Sequence, residues 1–456
     1  MSDLPPGWDW ATIGSVADSL VDGPFGSNLK TEHYQSNGIR VIRLQNIADG
    51  RFNDMDKAYI SEEHAKSLSR HDARPGDVLI AAMGDVLPRV CLVPRSIDRA
   101  IVKADCFRLR PLEGVLPQYL AYMLSAPQTR KEASTQIAGV GRPRLNLKKV
   151  SGLTIPIPPE REQAQVVAAV DEQFSRLDAG FTALDRVRRN LRRMRASVRD
   201  AAVTGRLVPR NGNPAEAARL VAQLCDEAGI GGKRKAVVPD IKNLTSVPDS
   251  WQTVSLSDLA ESIDYGTSEK SSSETGGLPV LRMGNLGRGT ITYESLKFLP
   301  HRKVDSRLLL QPGDLLFNRT NSAELVGKTA LFHGYREDIT FASYLIRVRP
   351  LPSANLEWAS IVLNSAIGRR YVAGVRTQQV GQANVNGTKL AAAPIPLPSA
   401  EEQSRIAAEC ERLFSIIDSL EHMAIAALKR GEKIRSSILS AAFTGNFVLR
   451  NEEIAV

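Results

Sequence analysis

Residues 155–167, IPIPPEREQAQVV, open a stretch that returns later in the chain as residues 395–407, IPLPSAEEQSRIA. The two copies stay in register without a gap as far as Val208 and Val448, since 395 − 155 and 448 − 208 both give 240. Both copies close on the pattern A-A-x-T-G. A duplicated unit of this length predicts a molecule with an internal pseudo-two-fold repeat.

Each copy has the periodicity of a long amphipathic helix. No proline occurs between Pro159 and Pro209, and apolar residues recur at steps of three and four over 170–198 and again over 406–438. Each helix should run about 40 residues, or roughly 60 Å. The narrow apolar seam favours an antiparallel coiled coil in which each helix packs on the other, while core helices of one large domain are the alternative.

Small residues support close packing of the two helices. Ala424, Ala427 and Gly431 lie on the seam of the second copy, where they would let a partner helix approach closely. Gly205 and Gly445 follow the last turn of each copy and are predicted to be left-handed C-terminal caps.

The first helix carries seven arginines over 186–199, at 186, 188, 189, 192, 193, 195 and 199. A solvated surface is one interpretation, and contact with phosphates or an acidic protein is the other, because guanidinium groups pair with either in a bidentate manner. The equivalent part of the second helix offers only Lys429, Arg430, Lys433 and Arg435. Any such role is therefore predicted to be asymmetric.

The segments before the two helices also repeat, though more loosely. Pro5 and Trp8 match Pro248 and Trp251, and RPGDVLI at 74–80 matches QPGDLLF at 311–317. Runs such as IVKADCFRLR at 101–110 and FASYLIRVRP at 341–350 predict strands. The stretches at 117–126 and 355–372 predict helices, as does the segment at 214–228 between the halves. These front segments are therefore predicted to be mixed α/β.

Three polar loops recur in each half. They span 22–34, 81–89 and 139–146 in the first half, and 264–274, 318–328 and 376–386 in the second. Their Arg, Lys, Asn, Gln, Ser and Thr side chains are the types that contact bases and phosphates, although ordinary surface loops have the same composition. The loops differ between the halves while the surrounding frame repeats, as expected if two copies read two different sequences.

Composition sets outer bounds on function. The 456 residues include 59 Lys and Arg against 50 Asp and Glu, so the formal net charge of +9 favours an anionic partner such as nucleic acid. The cysteines at 91, 106, 225 and 410 have no ligand spacing and are expected to be reduced core residues. No signal peptide or membrane span is indicated, and a cytoplasmic location without membrane contact is expected.

The motifs of several enzyme classes are missing from the sequence. It contains no G-x-x-x-x-G-K-[ST] phosphate loop, no H-E-x-x-H and no [ND]-P-P-[YF] loop of the kind that holds a flipped adenine. The six histidines show no metal-binding spacing, and no metal ligands are predicted. The chain is therefore interpreted as a binding protein, not as a catalyst.

At this point the motifs identify a family by resemblance. Each half contains P-G-D-[VL]-L-[IF], P-[IL]-P, E-Q and a long helix ending A-A-x-T-G, and the second adds N-R-T-N-S at 318–322. This double arrangement closely resembles the specificity subunit of type I restriction-modification enzymes, and the resemblance covers nearly the full chain. It implies two α/β target recognition domains in tandem, separated by two long helices that form an antiparallel coiled coil.

The resemblance also implies a division of the chain and a set of partners. The expected segments are a first target recognition domain at 1–158, a spacer helix at 159–204, a short helix and linker at 205–243, a second recognition domain at 244–398, a second spacer helix at 399–445 and a tail at 446–456. The expected partners are double-stranded DNA, two modification subunits and restriction subunits. S-adenosylmethionine, ATP and Mg²⁺ would be carried by those subunits, with no cofactor in this chain.

The matching loops carry the expected DNA contacts. For the first half-site these are Ser27, Asn28, Lys30, Arg89, Arg142 and Arg144, and for the second they are Thr267, Lys270, Arg319, Asn321, Gln379 and Gln382. Asn146 and Asn386 are identical in the two copies, which suits a shared structural role better than base recognition.

Two other classes stay open from the sequence. One is a tandem DNA-binding or scaffolding protein unconnected with restriction-modification. The other is an enzyme whose active site the motifs do not reveal. The target sequence and the spacer length are not encoded in any readable form, because loop residues without a structure do not specify bases.

Overall fold

The computed structural model describes residues 4–137, 143–209, 213–229, 247–274, 276–300, 305–379 and 381–447. For Ser27 and Gln379 it describes the backbone but not the side chain. The described residues form two compact units. The first unit joins residues 1–185 to 425–456, and the second comprises 186–424. The first unit is therefore discontinuous in sequence, because the end of the last helix belongs to it.

The first unit contains short strands with bounds that follow the apolar runs of the sequence. They are β1 Asp9–Thr12, β2 Ala17–Asp22, β3 Ile39–Ile42, β4 Ile47–Ala48, β5 Arg51–Phe52, β6 Tyr59–Ile60, β7 Asp72–Ala73, β8 Val78–Ala81, β9 Arg89–Leu92, β10 Ala100–Val102, β11 Cys106–Pro111 and β12 Thr154–Ile157. The strands β2-β11-β8-β9 form an antiparallel sheet, and β6-β3-β10-β7 form a second sheet in which β3 and β10 are parallel.

The second unit repeats this order with a new set of strands. They are β13 Gln252–Ser255, β14 Ala260–Tyr265, β15 Leu278–Leu281, β16 Lys297–Leu299, β17 Leu315–Asn318, β18 Thr320–Asn321, β19 Thr329–Leu331, β20 Thr340–Phe341, β21 Leu345–Pro350, β22 Thr377–Gln379, β23 Gln382–Asn384 and β24 Pro394–Leu397. The sheet β14-β21-β17-β19 matches β2-β11-β8-β9, and β16-β15-β20 matches β6-β3-β10. The predicted internal repeat and the mixed α/β class are confirmed.

Each strand predicted at 101–110 and 341–350 is in fact two strands in two different sheets. In the first unit the chain turns after β10, where Asp105 has a φ of 69° and the backbone N–H of Cys106 donates to the carbonyl of Lys103. This turn passes the chain from the mixed sheet to the antiparallel one. Alternation of apolar residues continues across the turn, so the sequence does not reveal it.

The helices of both units are α1 Glu62–Ser67, α2 Pro117–Ser125, α3 Pro127–Gln136, α4 Leu147–Ser151, α5 Glu160–Val203, α6 Pro214–Glu227, α7 Leu356–Asn364, α8 Ala366–Val375, α9 Gly387–Ala391 and α10 Ala400–Phe443. The stretch at 355–372, predicted as one helix, is interrupted at Ser365. The Ser365 hydroxyl donates to the carbonyl of Val362 at 2.6 Å, and Gly368 lies so close to Leu363 that a Cβ would stand 2.6 Å from its carbonyl carbon. In the first unit the equivalent break lies between α2 and α3, where Pro127 marks it in the sequence. No proline marks the break at Ser365 in the second unit.

The two long helices are 44 residues each and pack in opposite directions. In the first unit the early part of α5 meets the end of α10, where Arg435 pairs with Asp178 at 3.0 Å. In the second unit the end of α5 meets the early part of α10, where Arg195 pairs with Asp418. The antiparallel pair is confirmed, and both helices end at a glycine of positive φ, 64° at Gly205 and 76° at Gly445.

The seam between the helices is narrower than the periodicity indicates. Val187 and Met194 on α5 and Leu420 and Ile434 on α10 fit the apolar period of the predicted helices, yet they are 42–51% exposed. In each unit a tryptophan just before the first strand is hydrogen-bonded to the first turn of a long helix. The indole N–H of Trp8 donates to Glu162 at 2.7 Å, and that of Trp251 donates to Glu402 at 3.1 Å.

Gly431 is required by the close approach of the two helices. A Cβ at this position would lie 2.8 Å from Cζ of Phe181 on α5, which is shorter than any real carbon contact. We expect Gly431→Ala to lower the free energy of unfolding by about 1–3 kcal/mol, because the ring must move within a packed seam. Thermal and urea unfolding followed by helical circular dichroism would measure it.

Gly180 is the matched control on α5. It is exposed, and a Cβ there would meet nothing within 4 Å. Gly180→Ala should therefore raise the free energy of unfolding by about 1 kcal/mol through helix propensity alone. Opposite signs for the two substitutions are the expected result, and stabilisation by both would contradict the close packing at Gly431.

Candidate nucleic-acid interface

The three polar loops of the second unit meet at one edge of its antiparallel sheet. The strands β18, β23 and β22 form a small sheet of their own, which joins the loop after β17 to the loop before α9. The remaining loop, after β14, is tied to them because the backbone N–H of Gly387 donates to the hydroxyl of Tyr265 at 2.6 Å. The structure therefore brings Arg319, Asn321 and Gln382 to one surface.

Arg319 lies at the centre of this surface. Its backbone N–H donates to the carbonyl of Tyr344 at 3.0 Å, and its carbonyl accepts from Val385 at 2.9 Å. The guanidinium carbon stands 4.8 Å from the centroid of the Tyr265 ring. Two of its N–H groups reach Ser343 and Asn384 at 3.4 Å each, near the outer limit of a hydrogen bond.

The other predicted residues of this half differ in how far the protein itself uses them. Thr267 accepts from the backbone of Glu269 at 3.2 Å, and the side-chain oxygen of Asn321 accepts from Ser322 at 2.8 Å. Both side chains therefore already serve the turns in which they lie. Lys270 and Gln382 are exposed, and the side chain of Gln379 lies outside the described residues.

The first unit builds the same loop cluster from different residues. Arg144 forms an isolated β-bridge with Met83, and the backbone N–H of Leu145 donates to Ala82 at 2.9 Å. The guanidinium of Arg144 stands 5.8 Å from the centroid of the Phe25 ring and 2.6 Å from the carboxylate of Asp105. All three predicted loops of the first half therefore also converge.

Five further residues of the first half complete the comparison with the sequence. Asn28 and Lys30 are exposed, and Lys30 lies 3.4 Å from the carboxylate of Glu32. Arg89 begins β9 and donates to the carbonyl of Met83 at 3.3 Å. Arg142 and the side chain of Ser27 lie outside the described residues. The DNA contacts of all of these remain predictions.

Asn146 and Asn386 have the shared structural role that their identity indicated. Each is the N-cap of a short helix and accepts a backbone N–H at 2.9 Å, from Lys149 before α4 and from Lys389 before α9. A side-chain oxygen at this position satisfies a donor of the first helical turn.

Sequence reasoning missed the aromatic residues of the surface. Phe25 is 47% exposed and Tyr265 is 44% exposed, and each lies beneath an arginine of its own unit. A signal was present in the sequence, because an aromatic residue stands near the start of the first polar loop in both halves, in DGPFGS and in DYGTSE. A single exposed ring is common on protein surfaces. The informative feature is that in both halves a ring in the first polar loop lies beneath an arginine.

The arginine-rich part of α5 is only partly a free basic face. Arg195 and Arg199 stand over the ring of Phe414, at 5.3 Å and 4.9 Å from its centroid, and Arg199 donates to the carbonyl of Arg288 at 2.7 Å. Burial lowers the pKa of Arg199 to about 10, and the charges of Arg195 and Arg288 add to the effect. Arg186, Arg192 and Arg193 are exposed, so both interpretations of the arginine run stay open for them.

One arginine of the run has an equivalent on the second helix. Arg435 stands 4.1 Å from the centroid of the Phe174 ring and pairs with Asp178, as Arg195 does with Phe414 and Asp418. The corresponding residues of the two contacts are 240 positions apart in the sequence, since 435 − 195, 418 − 178 and 414 − 174 all give 240. Packing of the helix pair is therefore the role that these two arginines share.

Two general properties bear on the kind of site. In the part of the chain that the structure describes, no group of His, Cys, Asp and Glu could hold a metal ion. Across those same residues no helix is both long and apolar enough to cross a membrane. The four cysteines are free and buried, as expected from their spacing.

Comparison with known proteins assigns both halves to the same kind of domain. The family model described as "Type I restriction modification DNA specificity domain" matches residues 5–185 and 248–430. Its limits fall in the two halves of the internal repeat and include parts of both long helices.

Curated relatives and a solved structure agree with this match over nearly the whole chain. The EcoKI specificity subunit of Escherichia coli K12, a type I restriction enzyme, is 24% identical over 97% of this chain and 89% of its own length. The StySPI specificity subunit of Salmonella potsdam is 23% identical with the same coverage. A chain solved in a study of type I R-M assembly and conformational transition superposes with a TM-score of 0.63 at 20% identity, covering 98% of this chain and all of that one.

Proposed function

This chain belongs to the type I restriction-modification DNA specificity family, and from that premise we propose that its two units read the two halves of a bipartite DNA target. Recognition of DNA sequence within a restriction-modification system follows from the family itself. The assignment excludes a scaffold unconnected with such systems. The bipartite target, the partners and the chemistry they perform are the proposal.

The observation that carries the proposal is that one loop cluster is built twice with different residues. The frame residues correspond between the units, as Asn146 does with Asn386 and Asp77 with Asp314. The loop residues do not correspond, as Arg319 and Arg144 show. Selection for stability alone would not require different surfaces on the same frame, whereas recognition of two different half-sites does.

The long helices offer a surface for the modification subunits. In the second unit α10 exposes Ile416, Leu420 and Met423, which are 44%, 42% and 62% exposed and lie on one helix face because they are four and three residues apart. Exposed apolar stripes on helices mark protein contacts. Two such subunits, one for each half, are part of the proposal, and restriction subunits complete the proposed complex.

In this proposal the chain itself turns over no substrate. The modification subunits would supply S-adenosylmethionine and methylate adenine N6, and the restriction subunits would use ATP and Mg²⁺. Methylation requires the adenine to leave the stacked duplex. Contacts by this chain on each half-site would place the transferase over that base.

The proposal is tested by producing the chain with its modification subunits in a host that lacks this methylation. Methylome sequencing should reveal one motif with two specified halves separated by unspecified bases. The purified chain alone should bind DNA without transferring a methyl group. Absence of a bipartite motif from a host that contains the assembled complex would contradict the proposed function.

Variants on the exposed stripe test the docking surface in the same host. Leu420→Glu with Met423→Glu should weaken association with the modification subunit by about tenfold or more, because a buried charge replaces an apolar contact. His422→Glu is the matched control, since it adds a charge at an exposed position on another face of α10. Equal association of both variants, measured by co-purification and titration, would place the docking surface elsewhere.

A further inference from the structure

Both units hold an arginine over an exposed aromatic ring that follows an equivalent strand. Tyr265 ends β14 beneath Arg319, and Phe25 follows β2 beneath Arg144. The strands β2 and β14 occupy the same position in their sheets. The same pair of chemical groups is therefore present at the same edge of both sheets.

The two arginines do not come from the same place in the repeat. The bond from Leu145 to the carbonyl of Ala82 corresponds to the bond from Val385 to the carbonyl of Arg319, at 2.9 Å in both units. Arg319 therefore corresponds to Ala82, and Arg144 corresponds to Asn384. The rings are not equivalent either, because the strand register matches Tyr265 with Asp22, three residues before Phe25. An arginine from the loop after the sheet strand in one unit, and from the loop before the short helix in the other, therefore reaches an aromatic ring in the same loop region.

The different sequence positions of the two arginines indicate that the contact between guanidinium and ring is not a requirement of the fold. A residue that the fold requires would keep its position in both copies, as the N-caps Asn146 and Asn386 do. Here the position changes while the guanidinium over the ring is kept. The placement of the guanidinium, and not the stability of the loop, is the property that the two units share.

Tyr265 and its surroundings hold the Arg319 side chain in place but leave part of the hydrogen-bonding capacity of its guanidinium group unused. The ring is anchored by its hydroxyl to the backbone of Gly387, and the ring face supports the guanidinium. Within the described residues no carboxylate forms a salt bridge with Arg319, and its Nε is buried without a hydrogen-bond partner. The long bonds to Ser343 and Asn384 can be exchanged for a stronger acceptor at little cost.

From this geometry we propose, on the basis of the function above, that Arg319 positioned by Tyr265 reads a guanine in the second half-site, and that Arg144 positioned by Phe25 reads one in the first. A guanidinium of fixed orientation matches the two acceptors O6 and N7 of guanine in the major groove. A phosphate contact would not require a supporting ring. In the first unit Asp105 occupies one edge of the Arg144 fork, and the remaining N–H groups stay available to the base.

The test compares three variants of the second unit in the assembled complex with its modification subunits. The wild-type motif is first determined by methylome sequencing, and binding is then measured on duplexes with each base pair of the second half-site replaced in turn. Arg319→Lys keeps the positive charge but removes the paired N–H donors of the guanidinium group. Tyr265→Leu removes the supporting ring. Both should lower discrimination at the same single G·C pair by about tenfold or more. Tyr265→Phe keeps the ring and should retain most of that discrimination.

A second arginine over a tyrosine in the same unit provides the matched control. Arg336 stands 5.6 Å from the centroid of the Tyr335 ring, away from the three loops. Arg336→Lys should leave discrimination unchanged at every position. A uniform loss of affinity for all duplexes with Arg319→Lys would indicate a phosphate contact and overturn the inference, as would a second half-site without a G·C pair. Failure of the wild-type complex to show a bipartite motif would instead overturn the proposed function.

Discussion

Replacing residues 1–158 of this chain by the corresponding segment of a relative is expected to change one half of the methylated motif and to leave the other half intact. Affinity for the original target should fall by about a thousandfold or more, because a changed half-site amounts to several mismatched base pairs at about 1–3 kcal/mol each. The reason is that all three loops of the first cluster come from this segment, while those of the second come from 264–386.

The structure shows how the exchange must be designed. The first unit also contains the end of α10, where the ring of Phe443 lies 5.8 Å from that of Trp10 and the Ser440 hydroxyl accepts from Gln128 at 2.7 Å. A chimera that exchanges 1–158 alone keeps the old helix end against a new domain. We expect it to be less stable by about 1–3 kcal/mol than a chimera that exchanges 1–158 together with 425–456.

Methylome sequencing of hosts carrying each chimera gives the readout. The reciprocal exchange of residues 244–398 is the control and should change only the other half of the motif. A change in both halves after either exchange would show that the two loop clusters do not read DNA independently.

The second large effect is expected from Asp314→Ala, in the P-G-D motif of the second half. The Asp314 carboxylate is 1% exposed and accepts from the guanidinium of Arg349 at 2.9 Å and 2.8 Å. It also accepts from the backbone of Gln311 at 2.8 Å, which closes the turn before β17. The same hydrogen bonds raise the pKa of Arg349. Removal of the carboxylate leaves a partly buried cation without its counter-charge, and the free energy of unfolding should fall by about 3–5 kcal/mol.

The repeat supplies a second instance of this prediction. Asp77 accepts from Arg110 at 2.9 Å and 2.7 Å and from the backbone of Arg74 at 2.9 Å. Asp77→Ala should therefore destabilise the first unit to a similar extent. Denaturant unfolding of each variant, followed by tryptophan fluorescence and circular dichroism, would measure both effects.

The control is an aspartate–arginine pair at the surface of the second unit. Asp305 accepts from Arg307 in a bidentate manner, but both side chains face solvent. Asp305→Ala is expected to change stability little, because water replaces the lost contacts. Equal losses for Asp305→Ala and Asp314→Ala would show that burial does not decide the strength of the P-G-D pair.

Much of the architecture follows from local patterns in the chain. The 240-residue repeat, the long helices, the glycine caps and the buried cysteines are all visible in the sequence, because helix periodicity and cap chemistry depend on neighbouring residues. The loops were also identifiable, since the repeat separates a constant frame from variable segments. The predicted domain limits and the individual DNA contacts stay predictions.

Tertiary structure decided which of these residues meet. Leu420 and Val187 fit the helical period but are exposed, because burial depends on the partner helix and not on the period. The break at Ser365 depends on the approach of Gly368 to Leu363. The turn at Asp105 depends on the fact that the strands before and after it, β10 and β11, pair in two different sheets. Arg319 reaches Tyr265 from 54 positions along the chain, since 319 − 265 = 54. Contacts of this kind are fixed by the packing of the sheet edge as a whole, which no local pattern encodes.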